Sequence, residues 1–190
     1  MADKYLLLLS GPIAVGKTAI RQSLVANHGF DYVRSGQYLM EMADRRSIDA
    51  KRISLQDLGD ELDLKTDFRW LLDDVAIPAF RDKPHMKRWI IDAVRKPRQV
   101  THILGVDQCP LVLHAHLVAP EETLEKRYEE RRAKQANPLD VSPYAVAINH
   151  PNEKSSRQLI SIADAIYDTS LMGPDQIGEQ IVDWFYKRSI

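Results

Sequence analysis

The sequence predicts an α/β protein of three layers (α/β/α), with helices on both faces of a five-stranded parallel sheet. Short apolar runs alternate with amphipathic helical patterns along the 190 residues, which is the order that βαβ units require. The first run, Tyr5–Leu9, is apolar at every position, as in a parallel strand that is covered on both faces. A loop of small residues follows it and leads into a helical pattern.

Five short runs are predicted as strands. Because the carboxyl ends of parallel strands lie along one edge of the sheet, the residues at these ends should form a common rim where ligands bind. The strands are Tyr5–Leu9, FDYVRSG at 30–36, RWIIDAVR at 88–95, PLVLHAHLVAP at 110–120 and DAIYDTS at 164–170. The rim residues are Ser10, Gly11, Ser35, Asp92, Ala119, Pro120 and Asp168.

The helices are predicted from apolar residues three and four positions apart. In the first helix, Thr18–Asn27, the side chains of Ile20, Leu24 and Val25 share a face, and Gly29 is a natural stop. The stretch Asn137–Asn152 is polar and contains prolines, which predicts a loop. The other predicted helical regions are 38–80, 121–135, Glu153–Ala163 and Ile177–Tyr186.

Composition and charge limit the functions that the chain can have. A chain with 44% hydrophobic and 28% charged residues suits one globular domain. The net charge of -1 gives no global electrostatic case for nucleic acid or a membrane surface as the main partner. Cys109 is the single cysteine, so no disulfide framework is expected. With no signal-peptide or membrane-spanning run, we expect a cytoplasmic protein; the oligomeric state is not indicated.

The strongest motif is GPIAVGKT, from Gly11 to Thr18, which matches the phosphate-binding pattern G-x-x-x-x-G-K-[ST] in its usual strand–loop–helix context. Backbone N–H groups of such a loop bind phosphate oxygens, a lysine neutralises the β- and γ-phosphates, and a hydroxyl ligates Mg²⁺. The motif predicts a P-loop NTPase fold with ATP and Mg²⁺ as cofactors, and Thr18 as the metal ligand. The predicted nucleotide-binding residues are Gly11, Ile13, Ala14, Val15, Gly16, Lys17, Thr18 and Ala19.

Charged side chains elsewhere suit phosphoryl transfer. Arg127 and Arg131 are four apart on a predicted helix, so they share a face and could hold the transferred phosphoryl group; Arg132 is close by. Asp92 ends an apolar strand at the rim, where a carboxylate could accept the acceptor's proton, orient the acceptor, hold a water of Mg²⁺ or cap the next helix. Arg95 is a candidate to hold an acceptor phosphate.

Four further segments resemble the nucleoside monophosphate kinase group in its wide sense, which includes adenylate kinases, dephospho-coenzyme A kinases and phage deoxynucleotide kinases. They are VRSGQYL, IIDAVRKPRQV, LVAPEETLEKRYEERR and ADAIYDTS, in the expected order. The resemblance implies one kinase domain with a core at 1–34, 84–126 and 156–190, a helical acceptor-binding insertion at 35–83 and a lid at 127–155. It implies catalytic roles for Lys17, Asp92, Arg127 and Arg131, and substrate binding by Ser35, Gly36, Arg95, Arg132 and Arg157.

The acceptor segment departs from this group. Adenylate kinases usually have aspartate and arginine where this chain has Gln37 and Met40. The missing arginine normally holds the acceptor phosphate; the alternatives here are Arg34, Arg45, Arg46 or a different acceptor. Ala93 also replaces a glycine. The stretch 134–157 lacks the second arginine cluster that these kinases have, and Arg157 is the only late candidate.

The sequence therefore predicts an ATP-dependent phosphotransferase whose acceptor is a nucleotide or nucleotide-like small molecule. Two alternatives stay open: a nucleic-acid or modified-base kinase of the same fold, which the near-neutral charge disfavours, and a non-catalytic ATP-binding regulatory module.

His114 and His116 lie on one face of a predicted strand. Because no third metal ligand is evident, we expect them to be hydrogen-bonded structural histidines.

Overall fold

The computed structural model describes residues 4–92, 94–105, 111–136, 139 and 142–189. Ala93 and Cys109 lie outside the described residues, as does part of the predicted loop after residue 136.

The five predicted strands form one parallel sheet with the strand order β2-β3-β1-β4-β5. The central strand β1 pairs with β3 and β4, and its leucines at positions 6 to 9 are fully buried. The strands are β1 (Tyr5–Ser10), β2 (Asp31–Val33), β3 (Arg88–Asp92), β4 (Leu111–Val118) and β5 (Ala165–Asp168).

Helices connect the strands. A π-helical segment, Leu71–Ala76, leads into α4, and a 3-10 turn, Leu159–Ile162, follows α8. In the described part of the chain, no helix is long and apolar enough to cross a membrane. The helices are α1 (Lys17–His28), α2 (Ser35–Arg45), α3 (Arg52–Lys65), α4 (Ile77–Asp82), α5 (Pro97–Leu104), α6 (Glu121–Ala133), α7 (Tyr144–Ala147), α8 (Pro151–Gln158) and α9 (Pro174–Arg188).

The helices cover both faces of the sheet. Since side chains alternate along a strand, Leu7 and Leu9 of β1 face one way and pack in a core with α1, α6 and α9. Leu6 and Leu8 face the other way and pack with α4, α5 and the π-helical segment. Helices α2 and α3 add a small cluster of their own around Leu58. The predicted three-layer α/β/α fold is confirmed.

The structure differs from the predicted elements most clearly in three places. The long helical pattern at 38–80 divides into α2, α3 and the π-helical segment with α4. Helix α5 is additional: it has only eight residues and begins at Pro97, a position that favours a helix start because proline has no N–H to lose there. Helix α7 and the start of α8 at Pro151 lie in the stretch predicted as a loop.

Candidate active site

The glycine-rich loop between β1 and α1 has the backbone shape that its sequence requires. Gly11 and Gly16 have φ values of 131° and 102°, a region that favours glycine. A Cβ atom on Gly11 would lie 2.5 Å from the carbonyl oxygen of Leu117, so β4 leaves no room for a side chain there. Gly16 is the N-cap of α1 and gives it no side-chain cap. The first N–H groups of α1 are therefore suited to an anion.

The loop forms one side of a cavity of about 420 Å³, the loop cavity. Besides the loop, four arginines and one carboxylate line it, so the cavity is strongly positive. Its lining residues are Ile13, Ala14, Val15, Gly16, Lys17, Thr18, Ala19, Gln22, Arg52, Arg95, Arg127, Arg131 and Glu153.

Lys17 is the cation that the glycine-rich loop itself contributes to this cavity. Its Nζ donates hydrogen bonds to the carbonyl oxygens of Gly11 at 2.7 Å and Pro12 at 2.8 Å. Burial lowers the pKa of Lys17 from 10.5 to about 8, and the nearby carboxylates of Glu153 and Asp92 oppose that shift. Below pH 8 the ammonium is therefore the main form, and a phosphate would favour it further.

The two arginines that were predicted to share a helix face both line the loop cavity. Arg127 is held by Thr169: Nη1 donates to the side-chain oxygen at 2.9 Å and Nη2 to the backbone carbonyl at 2.8 Å. The guanidinium of Arg131 lies 5.5 Å from the ring centroid of Tyr128. Helix α6 thus brings two cations to the loop cavity.

Arg127 also lines a second cavity of about 320 Å³, the apolar cavity. This cavity adjoins the loop cavity at Gly16 and Ala19. Its other lining residues are Ile20, Thr169, Met172, Gly173, Pro174 and Ile177.

A third cavity of about 310 Å³, the helical cavity, lies beside the loop cavity and takes lining residues from α2 and α3. The predicted residues Ser35, Gly36, Asp92 and Arg95 all line it. Its full lining is Lys17, Arg21, Ser35, Gly36, Leu39, Arg52, Leu55, Gln56, Gly59, Asp63, Trp70, Leu71, Asp92, Arg95, Gln99, Leu139 and Asn152.

Asp92 is fixed at the carboxyl end of β3 by two neighbours. Arg21 of α1 donates to its Oδ2 at 3.0 Å, and the Ser35 hydroxyl donates to its backbone oxygen at 3.1 Å. The Asp92 side chain is only 10% exposed. A carboxylate held this way can bind and orient a ligand group without reorganising.

Three residues line both the loop cavity and the helical cavity: Lys17, Arg52 and Arg95. We call these three cations the shared border. A ligand in either cavity therefore meets the same positive groups. Such an arrangement favours negative charge at the point where the two cavities join.

Two buried side chains in the lining of the helical cavity each have a polar atom without a partner. Among the described residues, Nε2 of Gln56 and Oδ1 of Asn152 have no hydrogen-bond partner, although these residues are only 8% and 3% exposed. An unpaired buried polar group is costly unless a ligand satisfies it.

Asp63, a further residue of this lining, accepts hydrogen bonds from Trp70 Nε1 and Gln99 Nε2, both at 2.8 Å. Burial raises the pKa of the Asp63 carboxyl.

The site includes residues that the sequence did not indicate. Arg21 and Arg52 come from α1 and α3, and Glu153 comes from α8. The Glu153 carboxylate accepts a hydrogen bond from the backbone N–H of Ile13 at 3.0 Å and lies 3.2 Å from Nη1 of Arg95. No short motif surrounds these residues. The helical pattern around each one shows which face of its own helix is buried, and not which part of the chain that face contacts.

Two predicted substrate-binding residues lie elsewhere. Arg132 pairs with Glu129 at 2.6 Å, and Arg157 pairs with Glu121 at 2.8 Å. Neither lines any of the three cavities described above. The suggested substitutes for the missing acceptor arginine, Arg34, Arg45 and Arg46, do not line them either. The arginines that line the helical cavity are Arg21, Arg52 and Arg95 instead.

The two histidines of β4 are hydrogen-bonded through Ser10, as expected for structural histidines. Ser10 Oγ lies 2.8 Å from both His114 Nε2 and His116 Nδ1. His114 Nδ1 lies 3.2 Å from the Ile162 carbonyl, which can only accept. His114 therefore carries its proton on Nδ1 and accepts from Ser10, whose oxygen accepts from His116. Among the described residues, no group of three His, Cys, Asp or Glu could hold a metal.

Solved structures with this fold include proteins that carry a kinase name. The chain is similar to a candidate kinase from Chloroflexus aurantiacus, with a TM-score of 0.59 and 14% identity over 98% of each chain. It is also similar to the tunicamycin resistance protein of Deinococcus radiodurans, with a TM-score of 0.54 and 17% identity over 96% of this chain and 95% of the other. No protein-family model and no curated protein sequence matches the chain.

At such low identities the likeness establishes the fold alone. The five-stranded parallel sheet, with the glycine-rich loop after its central strand, is a P-loop NTPase-like fold, as the sequence predicts. Membership of the nucleoside monophosphate kinase group stays a prediction.

Proposed function

We propose that this protein is an ATP-dependent phosphotransferase that moves the γ-phosphate of ATP to a nucleotide or nucleotide-like small molecule. The observation that carries the proposal is the shared border, where Lys17, Arg52 and Arg95 line two adjoining cavities. Phosphoryl transfer depends mainly on alignment of the two substrates and on neutralisation of phosphate charge. Two cavities that meet at three cations provide both.

The loop cavity suits the triphosphate of the donor. Gly11 and Gly16 allow the backbone to approach a phosphate closely, and Lys17 with Arg127 and Arg131 supplies positive charge. The adjoining apolar cavity suits the base of the nucleotide. Thr18 is exposed on the first turn of α1, and its hydroxyl would hold Mg²⁺. The metal ion would neutralise phosphate charge.

The helical cavity suits the acceptor. Leu39, Leu55 and Trp70 provide apolar and aromatic surface, while Gln56 and Asn152 offer unpaired polar atoms. This combination fits a planar ring with polar substituents better than an inorganic anion. Arg21 and Arg95 provide charge for an anionic group on the same molecule.

In the proposed reaction, an acceptor oxygen attacks the γ-phosphorus while the bond to the β-phosphate oxygen breaks, and ADP leaves. Asp92, held by Arg21, orients the attacking oxygen by accepting its hydrogen bond or its proton. The shared border neutralises the charge on the transferring group. Its cations contact both substrates, so the same groups serve binding and transfer.

The proposal is tested by incubating the protein with ATP, Mg²⁺ and a panel of nucleosides, nucleoside monophosphates and oligonucleotides, with the Lys17→Ala variant as control. We expect ADP formation that depends on one of the small-molecule acceptors. No ADP above the level of the variant would contradict the proposal. ATP binding without turnover would favour a regulatory module. Labelled phosphate on DNA or RNA would favour a nucleic-acid kinase.

A further inference from the structure

Helix α8 contacts both sides of the candidate active site. Consecutive residues of its first turn line different cavities: Asn152 lines the helical cavity and Glu153 lines the loop cavity. One turn later, the Ser156 hydroxyl donates a hydrogen bond to the Gly11 carbonyl at 3.0 Å. Helix α8 is therefore bonded to the start of the phosphate-binding loop at two points, Gly11 and Ile13.

Glu153 joins this loop to the shared border. One carboxylate oxygen accepts from Ile13 N–H at 3.0 Å, and the other lies 3.2 Å from Nη1 of Arg95. The Glu153 side chain is 5% exposed. Among the described residues, Glu153 is the only hydrogen-bond partner of the Arg95 guanidinium.

The Arg95 side chain is long and needs a contact that holds its guanidinium in one place. Arg95 is one of three residues that line both cavities, but its side chain is 34% exposed and carries several rotatable bonds. Without an anchor such a side chain loses a fixed position, which transfer requires within a fraction of an ångström. An ion pair between a buried carboxylate and a guanidinium is a directional anchor of this kind.

We propose that Glu153 is a positioning residue that acts through Arg95. It orients the Arg95 guanidinium at the junction of the donor and acceptor cavities. Its bond to Ile13 fixes the distance between that guanidinium and the phosphate-binding loop. The catalytic part of the inference rests on the proposed function. The positional part rests on geometry alone, so the two are tested separately.

The positional test uses ¹⁵N-arginine-labelled protein and the Glu153→Gln variant. The Arg95 guanidinium signals are assigned by their loss in Arg95→Lys. We expect separate Nη signals in the wild-type protein, because the pairing restricts rotation about Nε–Cζ, and averaged signals in Glu153→Gln. Restricted signals in both proteins would overturn the inference, whether or not the protein transfers phosphate. A Glu153→Gln variant that no longer folds would also overturn it, since the role would then be structural.

The functional test is a double-mutant cycle with Glu153→Gln and Arg95→Ala. We expect Glu153→Gln to lower kcat about tenfold while the dissociation constant for ATP changes less than about twofold. In the Arg95→Ala background the same change should have no further effect, because residues that act through each other are not additive. Additive effects, or a loss of ATP binding equal to the loss of kcat, would overturn the inference.

The control for this cycle is Glu122→Gln, which removes the same charge from an exposed position on α6. It should leave kcat and ATP affinity unchanged. If the wild-type protein transfers no phosphate to any acceptor, the proposed function fails, and the NMR measurement still decides whether Glu153 positions Arg95.

Discussion

The loop cavity and the helical cavity lie side by side, yet the chain builds them in different ways. Most of the loop cavity comes from one continuous segment, Ile13–Ala19. The helical cavity takes residues from α1, α2, α3, α5, α8 and the end of β3. The loop cavity therefore depends on local backbone geometry, whereas the helical cavity depends on long-range packing. The first can be recognised from a motif, and the second needs the fold.

The largest expected effect is on the rate of phosphoryl transfer, when the lysine of the loop cavity is removed. Lys17→Ala should lower kcat/KM for phosphoryl transfer by about 10³-fold, because the ammonium neutralises the transferring group. The fold should persist, since among the described residues the Lys17 ammonium donates hydrogen bonds only to the Gly11 and Pro12 carbonyls of its own loop. Coupled-enzyme kinetics and circular dichroism measure the two effects.

The matched control for Lys17→Ala is Lys154→Ala, which removes an exposed lysine from α8. It should transfer phosphate at the wild-type rate. Equal rates in Lys17→Ala and Lys154→Ala would show that the loop cavity does not hold the triphosphate.

The next effect tests whether the loop cavity depends on backbone shape. Gly11→Ala should lower the free energy of unfolding by about 3 kcal/mol or more, because its Cβ collides with a backbone carbonyl and its positive φ strains any other residue. Gly36→Ala, whose Cβ meets nothing within 4 Å, is the matched control and should change stability little. Denaturant unfolding checks both, and a similar loss in the two variants would contradict the argument.

A pH dependence should follow from the histidines beneath the loop. Burial lowers the pKa of His116 from 6.5 to about 4, and it also lowers that of His114. The unfolded chain therefore binds more protons between these values, so stability is full above pH 6.5 and falls as the pH drops toward 4. The lowered pKa of His116 alone corresponds to about 3 kcal/mol of the free energy of unfolding at pH values above 6.5.

The variant His116→Gln isolates this contribution. Its amide can still donate to Ser10 but does not titrate. The free energy of unfolding should therefore depend less steeply on pH between 6.5 and 4 than in the wild-type protein. Identical slopes in the two proteins would mean that His116 does not cause the dependence.

The smallest effect concerns the helical cavity, where function and stability should change in opposite directions. Gln56→Met removes a buried donor that has no partner, so the free energy of unfolding should rise by about 1 kcal/mol. The KM for the acceptor identified in the panel should rise about tenfold, while the KM for ATP stays constant. A parallel loss of stability and of ATP affinity would instead assign Gln56 to the protein core.

The sequence predicts the local parts of this molecule well. Tyr5–Leu9 identifies the central strand because both of its faces are buried, and the loop after it follows from glycine spacing alone. Asp92 and Arg95 were placed correctly at the sheet edge because they follow a strand. Helix α5 was missed because it has only eight residues and begins at a proline, shortly after a predicted strand.

The parts that the sequence did not predict are those that need three-dimensional neighbours. Arg52 and Glu153 reach the loop from helices far away in the chain, and a helical pattern shows a buried face without naming its partner. Arg132 adjoins Arg131 in sequence but points about 100° away around the helix, and it pairs with Glu129 instead.

The most direct measurement of the central claim is a crystal structure with a non-hydrolysable ATP analogue and Mg²⁺. We expect the β-phosphate in the glycine-rich loop and the terminal phosphate at the shared border, within hydrogen-bond distance of Lys17 and of Arg52 or Arg95. A terminal phosphate that points away from the helical cavity, or a triphosphate bound outside the loop, would contradict the claim that the two cavities meet at the site of transfer.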